Sequence, residues 1–203
     1  MEAINSASFY LNQKFDSFAS LQNFIKEYEN LNFVQLWKRD SRKILAAKKR
    51  LSKELKESLV YYEVKYCCIQ GGVNFKSRSR GLRSASTFRQ KCPVNVVLRE
   101  SKDGQNLQVK SLNMNHNHEV SQELYSHLPK QRKLPEDFER EAVKMIKLKA
   151  NKKLIKQQLS QQTGKVVLFK DLSNIQNRLK IEQQLIFSQI MQMCLKDYSF
   201  KTN

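Results

Sequence analysis

Phe15, Phe18, Leu21, Phe24, Ile25 and Tyr28 recur at intervals of three and four. That spacing predicts one face of an amphipathic helix over roughly Ser17 to Glu29, which Asn30 can end. Leu31 to Trp37 is a β-favouring run that leads straight into Lys38-Arg39-Asp40. Ile44 to Ser58 reads as a heavily basic helix. Leu59 to Ile69 is rich in aromatic and β-branched residues and predicts a strand, ended by Gly71-Gly72. Asn74 to Gln90 has no periodicity and reads as a long loop. Pro93 to Arg99 and Leu107 to Leu112 predict two more strands, joined through Lys102-Asp103-Gly104-Gln105, whose Asp-Gly pair suits a hairpin. A small three-stranded antiparallel sheet follows from these patterns.

The pattern changes after His118. Leu134-Pro135-Glu136-Asp137 opens a helix, with proline at the first turn and acids beside the positive end of the dipole. Phe138, Ala142, Val143, Met145, Ile146 and Leu148 form its apolar face. Asn151 is placed to cap a second helix carrying Leu154, Ile155 and Leu159, and Thr163-Gly164 ends it. A third starts at Asp171 or Ser173 and runs through Ile175, Leu179, Leu185, Ile186 and Ile190. The last two have the order of a helix-turn-helix, but a bundle that buries its own faces accounts for them as well. The predicted fold is α+β: a domain at 15–126 holding an N-terminal helix and a small sheet, then a helical bundle at 127–203.

Charge changes this picture. The 203 residues carry 37 Lys and Arg against 19 Asp and Glu, a formal net charge of +18. The excess is uneven: residues 1–37 sum to −2, 38–118 to +13 and 119–203 to +7. Seven basic residues fall between Lys38 and Arg50, and six between Lys76 and Lys91 with no acid among them. Such a field points to a polyanion, with nucleic acid ahead of an acidic membrane surface. Five Gly, three Pro and four Cys exclude collagen-like, low-complexity and disulfide-dense classes. No run of 18 apolar residues predicts a spanning helix. Met1 to Asn5 lacks a signal peptide's basic start and apolar core, so a reducing intracellular setting is expected.

Chemistry gathers at Cys68, Cys92, His116 and His118. Twenty-three residues separate Cys68 from Cys92, and another 23 separate Cys92 from His116. In extended chain, residues i and i+2 share a face, so His116 and His118 can reach one ion. Helical fingers space their histidines by three to five residues instead. Four Cys₂His₂ donors would make a closed tetrahedral set, the structural form of Zn²⁺, and would tie the three strands together. A buried thiol with hydrated surface histidines is the other reading that spacing alone leaves open. Cys67 competes with Cys68; strand alternation lets only one of them face the ion. Cys194 reads as an ordinary thiol.

Val64-Lys65-Tyr66-Cys67-Cys68-Ile69, Lys91-Cys92-Pro93-Val94-Asn95-Val96-Val97-Leu98-Arg99 and Leu112-Asn113-Met114-Asn115-His116-Asn117-His118-Glu119 together resemble the N-terminal zinc-binding domain of Mutator-like transposases. Their domesticated relatives, the far-red-response regulators and the SWIM-domain zinc-finger proteins, share it, and it is distantly similar to the WRKY–GCM superfamily. The likeness covers about residues 15–125, and Leu134 to Asn177 resembles the connector before the transposase core. It implies Cys68, Cys92, His116 and His118 as zinc ligands, with Cys68 the closer match to the family's single cysteine.

The resemblance also implies double-stranded DNA as partner, read by a strand entering the major groove edge-on. Lys38, Arg39, Arg42 and Lys43 are then the candidates for base contact, and Arg78, Arg80, Arg83, Arg89 and Lys91 for phosphate. A nuclear, transposase-derived regulator of transcription is the expectation. No paired carboxylates, nucleophile–base set or Gly-rich phosphate cradle argues for an enzyme. The rival expectation is a protein–protein adaptor working through the C-terminal helices.

Overall fold

The computed structural model describes residues 8–47, 54–72 and 88–200, with the side chains of the last helix described through residue 192. The chain divides into two compact units, Met1–Tyr125 and Ser126–Asn203. The fold is α+β, with an N-terminal helix, an antiparallel sheet and C-terminal helices.

In the first unit, α1 spans Phe18–Asn32. The Ser17 hydroxyl accepts from Ser20 N at 3.1 Å, the side-chain cap that a helix start requires. The helix outruns the expected stop at Asn30, because Phe33 takes the left-handed conformation that closes it (φ 53°). The Asn32 amide turns back onto the Tyr28 carbonyl, and the Phe33 ring packs edge-on against Tyr125.

The sheet has five strands where three were expected. Its order is β1-β5-β4-β3-β2, antiparallel throughout. β1 is Lys14–Phe15, β2 Leu36–Lys43, β3 Tyr61–Cys68, β4 Asn95–Glu100 and β5 Leu107–Asn113. Of the predicted Leu31–Trp37 run, only Leu36 and Trp37 enter the sheet; α1 takes its start. The strand continues instead through the charged residues to Lys43. An edge strand with one face in water tolerates that polarity. Of the expected helix from Ile44 to Ser58, the described residues show α2, Ile44–Ala47, and a 3₁₀ turn at Glu57–Leu59, while residues 48–53 lie outside the described residues. Ile44 N bonds the Val60 carbonyl, and Leu55 and Leu59 are buried in the core.

One face of the sheet closes that core. Val64, Val96, Leu98, Leu107 and Val109 lie beneath Leu21 and Ile25 of α1, with the Phe9, Phe15, Phe24 and Tyr28 rings at one side. This is more apolar burial than a three-stranded sheet would offer. At the β4–β5 hairpin, Gly104 (φ +71°) approaches the loop before β3, where an added Cβ would lie 2.5 Å from the Glu54 carbonyl oxygen. Only glycine satisfies both the angle and the approach.

The first unit ends within α3 (Gln122–Ser126), and in the second unit α4 is Pro129–Arg132. The three expected helices follow as α5 (Glu136–Lys147), α6 (Lys152–Thr163) and α7 (Phe169–Phe200). Pro135 precedes α5, the Asn151 side chain caps α6 at Lys153 N, and Gly164 closes it in the left-handed region. α7 starts before the expected Asp171. That carboxylate instead accepts from Leu168 N at 3.1 Å and from Arg132 at 3.0 Å, capping the helix from within its first turn. Leu134, Ala142, Ile155, Leu159, Val167, Leu172 and Ile175 form the unit's own core.

Candidate metal centre and the adjoining basic strand

Strand β3 delivers Cys68 at its last residue, on the same face as Val64 and Tyr66. The chain then turns tightly: Gly71 N bonds the Cys68 carbonyl at 2.7 Å, and Gln70 N approaches Cys68 Sγ at 3.4 Å. This turn abuts the segment leading to β4, where Cys92 N and Gln90 N both bond the Gln70 carbonyl, at 3.2 and 2.7 Å. A Cβ on Gly71 would lie 2.8 Å from the Cys68 carbonyl oxygen and 3.2 Å from that of Cys92. Glycine therefore lets the two cysteine segments meet. Lys91, in the left-handed region at φ 59°, turns the chain just before Cys92.

His116 and His118 arrive from beyond β5. Asn117 between them donates to the Gln90 and Lys91 carbonyls at 3.2 and 3.4 Å, which fastens the His-x-His segment to the Cys92 segment. The four donor atoms of Cys68, Cys92, His116 and His118 all lie within 4.8 Å of one another. Cys68 Sγ is 3.3 Å from His118 Nε2, Cys92 Sγ 3.6 Å from His116 Nδ1, and the two imidazole nitrogens are 2.9 Å apart. A tetrahedral ion with bonds of about 2.0 Å to nitrogen and 2.3 Å to sulfur has N–S edges of about 3.5 Å and an N–N edge of about 3.3 Å. The observed N–S edges fit, and the N–N edge is somewhat shorter.

The protonation chemistry fits as well. His118 Nδ1 lies 2.9 Å from the Glu119 carbonyl; donating its proton there leaves Nε2 as a lone pair facing the cluster, the outer-shell support that metal-bound histidines use. Burial, with His118 beside it, lowers the pKa of His116 and favours the neutral ligand form. His116 Nε2 is buried and finds no partner among the described residues, so the ring's polar function is directed through Nδ1. Burial pushes the Cys68 thiol up to about 12, with the neighbouring Cys92 adding to it. A cation among these donors reverses that preference, because a coordinating thiol gives up its proton. Cys67 sits half-buried on the opposite face and stands outside the cluster. Cys194 lies on α7 beyond the described side chains.

The basic candidates sort into distinct environments. Lys38, Arg39, Arg42 and Lys43 all lie on β2, the edge strand of the sheet. The Lys38 amine bonds the Tyr61 hydroxyl at 2.7 Å and lies over the Tyr61 and Phe18 rings. Arg42 stands 3.8 Å from Glu63, which also pairs with Arg99; the Tyr62 hydroxyl and then Glu63 raise the guanidinium's pKa further. Lys43 is exposed at the strand end. Arg39 lies over the Trp37 ring, 5.3 Å from its centroid, and Arg89 over the same ring at 5.9 Å. Lys91 is exposed beside Cys92. Arg78, Arg80 and Arg83 lie outside the described residues.

Sequence reasoning missed two supports of this site. Glu29 is fully buried, and its carboxylate accepts from Leu36 N at 2.8 Å, anchoring the start of β2. Trp37 serves as a platform for two guanidiniums rather than as core, a role hinted at only by its place beside Lys38-Arg39.

The described residues include no helix long and apolar enough to cross a membrane. No curated protein and no solved structure matches the chain. One family does: zinc finger SWIM domain-containing protein 3, N-terminal, over residues 9–118. The matched span opens at the core residue Phe9, takes in all five strands and ends on His118, the last of the four donors. With more than half of its length in that match and a Cys₂His₂ cluster that could hold a metal ion, the chain belongs to the zinc finger SWIM domain-containing protein 3 N-terminal family.

Proposed function

We propose that this protein is a zinc-dependent, double-stranded DNA-binding protein, descended from Mutator-like transposases and acting in the nucleus in transcriptional regulation rather than as an enzyme. The observation that carries the reading is the placement of β2. It is an edge strand of the sheet, it carries Lys38, Arg39, Arg42 and Lys43, and its first residue pairs with the candidate ligand Cys68. A β-edge of this kind is narrow enough for the major groove, and its arginines are suited to guanine or phosphate.

Cys68, Cys92, His116 and His118 would hold the zinc ion, whose contribution is structural: it clips the β3 turn, the Cys92 segment and the His-x-His segment together. Asn117 and Gly71 keep those segments in register for it. The fixed turn would also hold the start of β2, because Ile69 N bonds the Gln35 carbonyl at 2.9 Å. Duplex binding by the full chain, followed with metal analysis, tests the reading. His116→Ala should lose both bound zinc and duplex affinity, and retained binding in a zinc-free variant would refute it.

One observation favours the adaptor as a second reading. Ile181, Leu185, Ile186, Phe187, Ile190 and Met191 of α7 are all exposed, which is unusual for one helix and fits a protein partner. Salt separates the two. Contact with six or more phosphates weakens about a thousandfold between 50 and 200 mM salt, whereas an apolar helix face scarcely responds.

A further inference from the structure

Every residue of α7 from Lys180 to Gln192 is exposed, although the helix runs unbroken from Phe169 to Phe200. Its first part packs: Leu172 and Ile175 are buried in the core of the helical unit, and Leu179 lies against that core. Ile186 follows Leu179 by seven residues, as Leu179 follows Leu172. Helical spacing therefore puts Ile186, with Ile190 one turn on, on the side of the helix that the core already uses. Here that side meets solvent, with Phe187 65% exposed beside it, while Ile181 and Leu185 are exposed on the opposite side. A solitary helix of this length is marginal in water, and one that is apolar on more than one side belongs in a buried setting.

Two features choose the cover. Residues 183–195 hold no Asp, Glu, Lys or Arg, the longest such run in the chain. An acidic partner finds no cation there, whereas two copies of a chain of net charge +18 can meet through an uncharged surface. The second feature is a groove in the same unit. Between α5 and α7 a cavity of about 660 Å³ is lined by Val143 and Leu179, with Lys144, Lys147 and Glu182 around them. A cavity of that size holds a drug-sized ligand, and so several aliphatic side chains. The area is also sufficient. Six half-exposed apolar side chains leave roughly 600 Å² uncovered, and about 1,200 Å² over two copies reaches the range of specific interfaces before the groove walls are added.

We propose that α7 forms a two-fold dimer, its exposed half lying in the α5–α7 groove of a second copy. A two-fold contact is mutual. With Ile190 of each copy against Leu179 of the other, the two α7 helices run antiparallel and cross midway, between Gln184 and Leu185. Groove and partner helix together cover more of α7 than the single stripe buried in a two-helix seam. The proposal rests on the exposed α7 face that also carries the adaptor reading, names its occupant, and does not depend on DNA binding.

Sedimentation equilibrium of the zinc-loaded full chain over a concentration series tests it. The mass should rise from monomer to dimer and stop there, because a two-fold contact closes on itself. Sodium chloride should strengthen the association by screening the repulsion between basic copies, the opposite of its effect on DNA binding. Ile190→Asp should weaken the dimer about a hundredfold with zinc content unchanged. Lys144→Trp, which adds bulk at the groove, should weaken it as well. Leu154→Asp, at an exposed leucine of α6, should leave it intact. Amide exchange over residues 180–192 should slow as the dimer forms. A chain that stays monomeric throughout overturns the dimer and leaves the adaptor reading to a partner of another kind. A dimer broken by Ile190→Asp but untouched by Lys144→Trp overturns the groove as its seat, and one that survives Ile190→Asp overturns the proposal entirely.

Discussion

Residues 9–118 close their core over strands that are distant in sequence, while residues 134–175 close theirs over helices joined by short turns. In the first unit Leu36 meets Cys68, Lys14 meets Gln108, and the four clustered donors come from positions 68 to 118. Each such contact requires a long loop to be closed first, and a metal ion bound across three segments offsets that entropy. In the second unit the Asn151 and Gly164 caps, the Asp171 turn and the Leu159–Leu172 core are settled by neighbours in sequence. The difference teaches where metal should matter. The sheet unit should carry a bound ion's free energy in its stability, and the helical unit should fold on local terms.

Removing the metal gives the largest break between the two. Chelation, or His116→Ala, should cost the sheet unit several kcal/mol, since metal binding is coupled to folding. Helical circular dichroism from α5 to α7 should persist while near-ultraviolet signals from the sheet's aromatic cluster weaken. Simultaneous loss of both would show that the units are not independent. The converse change is Leu159→Ala, at a fully buried position of the helical core. It should cost about 2–5 kcal/mol there and leave zinc stoichiometry untouched.

A smaller effect appears with pH. The raised Cys68 thiol stays protonated in the metal-free fold up to about 12, so zinc binding should release its proton throughout the neutral range. Affinity should then rise about tenfold per pH unit for the Cys68 proton released, as isothermal titration in buffers of different ionisation enthalpy would show. Above about pH 9, where an unfolded thiol ionises and the buried one does not, the metal-free sheet should lose stability as pH rises. A pH-independent affinity would remove Cys68 from the ligand set. Smallest of all, Asn151→Ala should cost about 1 kcal/mol by deleting the α6 cap, seen as a lower denaturation midpoint in the helical unit alone.

What the sequence revealed follows the same division. The caps at Asn151 and Gly164 and the apolar faces of α5 and α6 are local, and the pattern exposes them. The face-sharing of His116 and His118 and the turn at Asp103-Gly104 were legible for that reason too. At the described ends of the Ile44–Ser58 segment the helical spacing misleads, because Ile44 and Leu55 are buried, with Leu59, in a core shared with the strands. Strand β2 is hard to see because its charged residues occupy an edge, where the pleat need not bury both faces. Register also hides the shift between Lys38 and Asp40 and the Glu29 anchor: neither exists until α1 and β3 are in place.

Duplex DNA binding measured before chelation, after chelation and after zinc is restored tests the central claim most directly. Affinity should be lost with the metal, return with zinc, and fall steeply with salt in the loaded state. Salt-sensitive binding of equal strength in the zinc-free protein would contradict it.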